Sequence, residues 1–316
     1  MRVAVIGLGL VGGSVALRLG RDHDVVGWDT DPATRELAAG AGLTLAAGPE
    51  DAATGADVTV LATPPAALAT LLPALAGTDC PVLTDVGSVK APVLTAARAA
   101  GAGHRFVGGH PMAGTERTGF AAADPALLDG AAWVLCVEDD TDLTAWLRVA
   151  ALITGAGCHV VPCPAADHDD AQARISGLPH LLALALAATG GAGGPLAGAL
   201  AAGSYRDGTR VAGSRPELVA ALCDGNAAAL SRVLDDTLAW LDAARGVLRT
   251  GASVYPLAAA GHAARRDWAE PVPAAAVTLD GRTPDLRADL RELGSAGGAV
   301  HAVHPDGTLH CRRPAR

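Results

Sequence analysis

An apolar run at the start of the chain, Arg2–Ile6, leads directly into Gly7-Leu8-Gly9-Leu10-Val11-Gly12-Gly13-Ser14, after which apolar residues recur at helical spacing to Leu19. A G-x-G-x-x-G segment between a strand and a helix admits few architectures. Gly7 permits the tight turn, Gly9 lets a pyrophosphate approach the backbone, and Gly12 allows helix and strand to pack closely. Leu10 and Val11 open the helix, whose free N–H groups and positive dipole end favour phosphate. The second apolar run, Asp24–Trp28, ends in Asp29, 20 residues beyond Gly9. That is close to the spacing of a ribose-binding carboxylate, which accepts from a 2′-OH and repels a 2′-phosphate. NAD is therefore expected in preference to NADP. The competing role for Asp29 is to cap a helix starting at Pro32.

The alternation continues. Pro32–Ala39 reads as helix and Asp57–Leu61 as a buried strand ending in Ala62-Thr63-Pro64-Pro65. Ala66–Leu75 reads as helix, and Pro81–Thr84 as a strand followed by Asp85-Val86-Gly87-Ser88-Val89-Lys90 and a further helix to Ala100. Arg105–Val107 reads as the strand that delivers His110, with Trp133–Val137 and His159–Val161 finishing the same sheet around the helix Leu143–Ile153. Ligands of such sheets bind beyond the strand ends, so Thr63, Pro64, Ser88 and His110 are expected at one crevice. The predicted fold class is an α/β Rossmann-type doubly wound sheet over residues 1–164.

Beyond Pro164 the β-branched runs disappear, and Ala, Leu and Gly dominate at helical spacing. Residues 165–250 are predicted to form an all-helical domain. Asp167–Ala188 reads as one long helix, interrupted around Ser176-Gly177-Leu178-Pro179 and kinked by the proline next to His180. Gly203–Arg210 reads as polar and irregular. Residues 251–316 form a short α/β-like extension, with a strand at Ala274–Leu279, a helix at Asp285–Leu293 and a hairpin turning at Asp306-Gly307.

A net charge of −9 argues against nucleic acid and anionic membranes as partners. No apolar run reaches membrane-span length, and no signal-like segment precedes the first strand. The six cysteines are scattered without a C-x-x-C pair, as expected for reduced thiols in a cytoplasmic protein. No metal site is expected: His159 between Cys158 and Cys163 sits in a strand pattern, and His301, His304 and His310 read as surface residues. A single lysine, Lys90, stands against 23 arginines, which raises the question of whether its position needs an ammonium.

Between the two halves lies Gly109-His110-Pro111-Met112-Ala113-Gly114-Thr115-Glu116-Arg117-Thr118-Gly119. A lone loop histidine is usually a satisfied structural residue. Here the flanking pattern resembles the His-Pro-Met-Ala-Gly-x-Glu segment of prephenate dehydrogenases. Over residues 1–248 the chain is similar to the prephenate/arogenate dehydrogenase family, on Gly7–Ser14, Ala62–Pro64, Asp85–Lys90, Gly109–Gly119, Ser176–His180 and Arg206–Ala212 taken in order. The resemblance implies an NAD-dependent oxidative decarboxylation of a small cyclohexadienyl substrate, and a homodimer formed through the helical domain. Ala- and Leu-rich stretches with few charges, such as Leu181–Ala188, fit such an interface.

By resemblance His110 accepts the C4 hydroxyl proton, and Ser88 orients that hydroxyl or the nicotinamide. Ser176, His180 and Arg210 bind substrate with Thr115 and Glu116, Arg210 through its planar fork. Gly7, Gly9, Leu10, Val11, Gly12, Asp29, Thr63 and Pro64 hold the cofactor. Two departures stand out. The family segment is commonly Ser-His-Leu-Pro-His, whereas this chain has Gly177. The extension is also too short for a complete ACT regulatory domain.

The ring substrate is open among prephenate, arogenate and 4-amino-4-deoxyprephenate. A β-hydroxyacid dehydrogenase would rely on a lysine in the helical domain, and no lysine follows Lys90. A non-catalytic NAD-binding sensor would need the glycine fingerprint without His110, Ser88 and Arg210.

Overall fold

The computed structural model describes every residue except Glu116, Pro271 and Arg316. The chain divides into two compact units. One comprises Met1–Asp169 with Ala275–Arg313; the other comprises Asp170–Ala274 and the last residues from Pro314.

The first unit begins as the glycine fingerprint requires, with β1 (Arg2–Ile6), α1 (Leu10–Leu19), β2 (Asp24–Trp28), α2 (Pro32–Gly40), β3 (Thr44–Leu45), α3 (Pro49–Ala53), β4 (Val58–Leu61), α4 (Pro65–Ala76), β5 (Leu83–Asp85), α5 (Ala91–Ala99) and β6 (Phe106–Val107). These strands form a six-stranded parallel sheet in the order β3-β2-β1-β4-β5-β6. β1 shows why its sequence makes a central strand. Val3 and Val5 enter one hydrophobic cluster and Ala4 and Ile6 the other, because alternate side chains point to opposite faces.

The chain then leaves this sheet. β7 (Gly109–Pro111) pairs antiparallel with β8 (Ala132–Cys136), and β8 pairs parallel with β9 (His159–Cys163) across the crossover helix α6 (Leu143–Gly155). Trp133–Val137 and His159–Val161 therefore do not finish the first sheet, and His110 lies within a strand of a second sheet rather than at an end of the first. Gly109 makes the transfer possible: a Cβ there would sit 2.9 Å from Thr84 Oγ1 and 3.0 Å from Trp133 Nε1, wedged between the two sheets. β9 is followed by α7 (Ala165–Gln172).

The second unit is helical. A π-helical turn at Ala173–Gly177 leads into α8 (Leu178–Gly191), followed by α9 (Gly194–Leu200), α10 (Gly203–Thr209), α11 (Pro216–Gly225), α12 (Ala227–Arg249) and α13 (Tyr255–Ala269). The break expected near Pro179 is thus a widened turn just before it. Pro179 has no N–H to offer the preceding turn, and π-bulges accommodate such a misfit. Gly203–Thr209, expected to be irregular, is a helix. Among the described residues no single helix is long and apolar enough to cross a membrane.

The tail adds β10 (Ala274–Asp280), α14 (Leu286–Ser295), β11 (Ala299–Val303) and β12 (Thr308–Pro314). The sequence sets residues 251–316 apart as an extension, but Ala275–Arg313 packs with the first unit. β11 pairs antiparallel with β9 through Val300 and Val160, giving a second sheet in the order β10-β12-β11-β9-β8-β7. α14 places Leu286, Leu290 and Leu293 in the same cluster as Trp146 and Val149 of α6.

Candidate active site

The nucleotide loop has the geometry of a phosphate cradle. Gly7 adopts φ 95°, and a Cβ on Gly12 would collide with the Gly7 carbonyl, so both positions exclude a side chain. Above Gly9 a Cβ would meet nothing within 4 Å, leaving the backbone open to a ligand. Gly9 caps α1 without a side-chain hydrogen bond, so the first-turn N–H groups of Leu10, Val11 and Gly12 have no side-chain cap. Thr63 Oγ1 is shielded from solvent and has no hydrogen-bond partner among the described residues. Pro64 is exposed at the N-cap of α4. Asp29 accepts from Leu8 N–H at 2.7 Å and Asp31 N–H at 2.9 Å. The capping of α2 falls instead to Asp31, which accepts from Ala33 and Thr34. These residues fit a dinucleotide: an open glycine, an uncapped helix start, an orphaned hydroxyl and an acid at the end of β2 not spent as the cap.

Where the two sheets meet, Lys90 and Asp85 are both almost wholly buried, at 0% and 1% exposure. The Lys90 ammonium pairs with Asp85 Oδ2 and donates to the Gly109 carbonyl at 2.6 Å. Asp85 also accepts from Gly87 N–H and Gly109 N–H, each at 2.9 Å. A buried carboxylate and ammonium survive only when paired and hydrogen-bonded. Here the pair ties the end of β5 to the strand carrying His110, and an ammonium is the donor that reaches both acceptors. Ser88 is exposed in the loop between Asp85 and Lys90.

His110 is 7% exposed. Burial, reinforced by the Lys90 ammonium and by His168, drives its pKa well below the ordinary imidazole value, so the ring is neutral. Its Nδ1 lies 3.0 Å from Nε2 of His168, whose Nδ1 lies 2.7 Å from Asp169 Oδ1. Asp169 in turn accepts from Lys90 N–H and Ala91 N–H, each at 2.8 Å. Burial pushes the Asp169 carboxyl up, but the His168 ring and the two backbone donors outweigh it and hold the group below the usual carboxylate value. The sequence reading missed His168 and Asp169. They stand in Ala166-Asp167-His168-Asp169-Asp170, which reads as a solvated helix face; the available signal was a His-Asp pair directly after the last strand of an α/β unit.

The other expected substrate residues divide between the units. Thr115 is exposed in the loop after β7, where its Oγ1 accepts from Arg117 N–H at 3.2 Å. Glu116 lies outside the described residues. In the second unit His180 Nδ1 donates to the Ser176 carbonyl at 2.8 Å, which leaves Nε2 as its free nitrogen. Arg210 is exposed in a short 3-10 turn after α10. The Cβ direction at Gly177 points at α12, 3.0 Å from Leu230 Cδ1. Gly177→Ala is therefore expected to be close to neutral in melting, as better helix propensity offsets a small shift of Leu230. Gly177→His should cost about 1–3 kcal/mol by overpacking. Equal melting temperatures for the two variants would refute this reading. Among the described residues no group of three His, Cys, Asp or Glu side chains is arranged to hold a metal ion.

Residues 14–162 match the family model for the prephenate dehydrogenase nucleotide-binding domain, and residues 164–255 match the prephenate dehydrogenase dimerization domain. A Corynebacterium glutamicum protein provisionally described as a prephenate dehydrogenase is 36% identical, with TM-score 0.87 over 94% of this chain and 98% of that one. The chain belongs to the prephenate/arogenate dehydrogenase family. Synechocystis arogenate dehydrogenase is 30% identical, with TM-score 0.73 over 85% of this chain and 100% of that one. Bacillus subtilis prephenate dehydrogenase is 32% identical over 68% of this chain, a match that spans 62% of that protein's length. The chain thus spans less than two thirds of the length of that relative.

Proposed function

We propose that this protein catalyses the NAD-dependent oxidative decarboxylation of prephenate to 4-hydroxyphenylpyruvate, as a step of aromatic amino-acid biosynthesis in the cytoplasm. The observation that carries the reading is a buried, neutral His110 held by its own hydrogen-bonded partners in the same unit as the dinucleotide loop. NAD+, when bound, supplies the hydride acceptor. His110 takes the C4 hydroxyl proton as the C4 hydride departs. The electron pair of the breaking ring–carboxylate bond enters the ring as CO2 leaves and passes to the C4 oxygen, which takes its proton back from His110 to give the phenol of the aromatic product. Ser88 orients the reacting groups. Arg210 and His180, with Ser176, Thr115 and Glu116, hold the carboxylates and side chain so that binding energy goes into alignment.

Arogenate has a specific observation in its favour, the similarity to the Synechocystis enzyme across that enzyme's whole length. Initial rates of NADH formation with purified prephenate, arogenate and 4-amino-4-deoxyprephenate test the choice. A kcat/KM for prephenate above the other two is expected, and a higher value for either rival overturns it. Tight NAD+ binding with no turnover of any of the three would make the protein a sensor instead.

Asp29 supports NAD+ over NADP+, because its carboxylate repels a 2′-phosphate. We expect kcat/KM to favour NAD+ by roughly 10²-fold or more. Equal values for the two cofactors would remove Asp29 from this role.

The same reading makes the protein a homodimer through its helical unit. The buried cluster of that unit comprises Ala173, Ala229, Leu230 and Val233. Leu184, Leu186, Leu196, Leu200, Trp240 and Leu241 are each at least 41% exposed on the single chain, apolar surface that a second copy would cover. Sedimentation at micromolar concentration should return twice the chain mass; a monomer would count against the interface.

A further inference from the structure

We propose that His168 and Asp169 are positioning residues that fix His110 in the tautomer with its proton on Nδ1, leaving an unprotonated Nε2 for the substrate hydroxyl. The proposal rests on the assignment of His110 as the base.

The proton positions follow from the anion outward. An ionised carboxylate only accepts hydrogen bonds. Asp169 already takes Lys90 N–H and Ala91 N–H, which anchor it at the start of α5. Its contact with the His168 ring, 2.7 Å from Oδ1 to Nδ1, therefore requires the proton to be on His168 Nδ1. We take the His168 ring to carry that single proton, which puts its lone pair on Nε2. That atom lies 3.0 Å from His110 Nδ1, so the shared proton belongs to His110 Nδ1. The remaining nitrogen of His110, Nε2, is the base.

The same order serves the reaction. When His110 Nε2 gains a proton, the ring becomes a cation that donates from Nδ1 to His168, with the Asp169 carboxylate one ring further on. The positive charge is then met by an acceptor and an anion, offsetting the nearby Lys90 ammonium, which is itself paired with Asp85. The rings cross nearly edge to face, at 84°, so the contact is a directed hydrogen bond rather than a stack. His168 is 4% exposed, which keeps water from competing for either nitrogen.

The test reads tautomer and rate separately. Histidine-selective 15N labelling of the full chain at neutral pH, without substrate, distinguishes protonated from unprotonated ring nitrogens, with His110→Asn assigning the His110 signals. The wild-type protein should show Nδ1 protonated and Nε2 bare. His168→Met, which offers no comparable acceptor, should give the Nε2–H form or a mixture. It should lower kcat roughly 10²-fold, at the low end for loss of a general base, with KM within about twofold. His168→Gln accepts from His110 through Oε1 and donates to Asp169 through Nε2, so it should keep the wild-type tautomer and recover most of kcat.

A wild-type His110 carrying its proton on Nε2 would overturn the proposal. So would a His168→Met protein with unchanged tautomer and rate, or a His168→Gln protein as impaired as His168→Met. Should His168→Met fail to fold, the wild-type and His168→Gln spectra still decide. A chain that turns over no ring substrate would sink the functional reading while leaving the tautomer result to stand or fall alone.

Discussion

His110→Asn should lower kcat by about 10²–10⁴-fold with little change in KM for the ring substrate, the loss typical of a general base. Asn fills much of the same space in β7 but cannot take a proton at neutral pH. Arg210→Ala should show the opposite split, a raised KM with kcat largely kept, because a carboxylate clamp holds ground state and transition state alike. The pH profile supplies an independent check. A base works when unprotonated, so kcat/KM is retained above the folded-state pKa of His110 and falls as pH drops through it. Burial, then Lys90, then His168 depress that pKa. The acid limb should therefore lie below the ordinary imidazole value of about 6.5. Steady-state kinetics across pH check all three statements. A His110→Asn enzyme with near-normal kcat, or an acid limb unchanged by that substitution, would leave this segment with a structural role.

Lys90→Met should destabilise the first unit by about 3–5 kcal/mol, because it leaves the Asp85 carboxylate buried without its cation. Asp85 would keep only the N–H groups of Gly87 and Gly109, and the Gly109 carbonyl would lose its 2.6 Å donor. For a domain of this size the change corresponds to a fall of roughly 10 °C in melting temperature. Removing both charges, as in Asp85→Leu with Lys90→Met, should recover part of that loss, since replacing a buried pair costs less than breaking it. Thermal melts of the two single variants and the double variant measure the coupling. If Lys90→Met melts within a degree or two of wild type, the lone lysine of the chain is not the clamp described above.

Local chemistry made much of the nucleotide-binding half legible. The strand before Gly7, the helix after Gly12 and the acid at Asp29 each follow from backbone or charge requirements that few other sequences satisfy. The hairpin at Asp306-Gly307 was legible for the same reason, as Gly307 has φ 90°. The transfer between sheets at Gly108 and Gly109 was not. β6 has two residues and β7 three, too few for a period-two pattern, and the choice of partner strand is made by packing against Trp133 and Thr84. α10 was hidden by its polar residues and glycines, and its helix is settled by Tyr205 and Thr209 bonding within the helical unit. α13 passed unread although Pro256 sits in its first turn, a usable start signal. At the site, motif order led to His110 and Ser88, whereas His168 is separated from His110 by 58 residues and its role exists only once the fold brings the rings together.

The most direct measurement is the stoichiometry of one turnover by the purified wild-type protein, given NAD+ and prephenate labelled in its ring carboxylate. One NADH, one labelled CO2 and one 4-hydroxyphenylpyruvate are expected for each prephenate consumed. NADH without labelled CO2, or consumption of neither NAD+ nor prephenate, would contradict that stoichiometry.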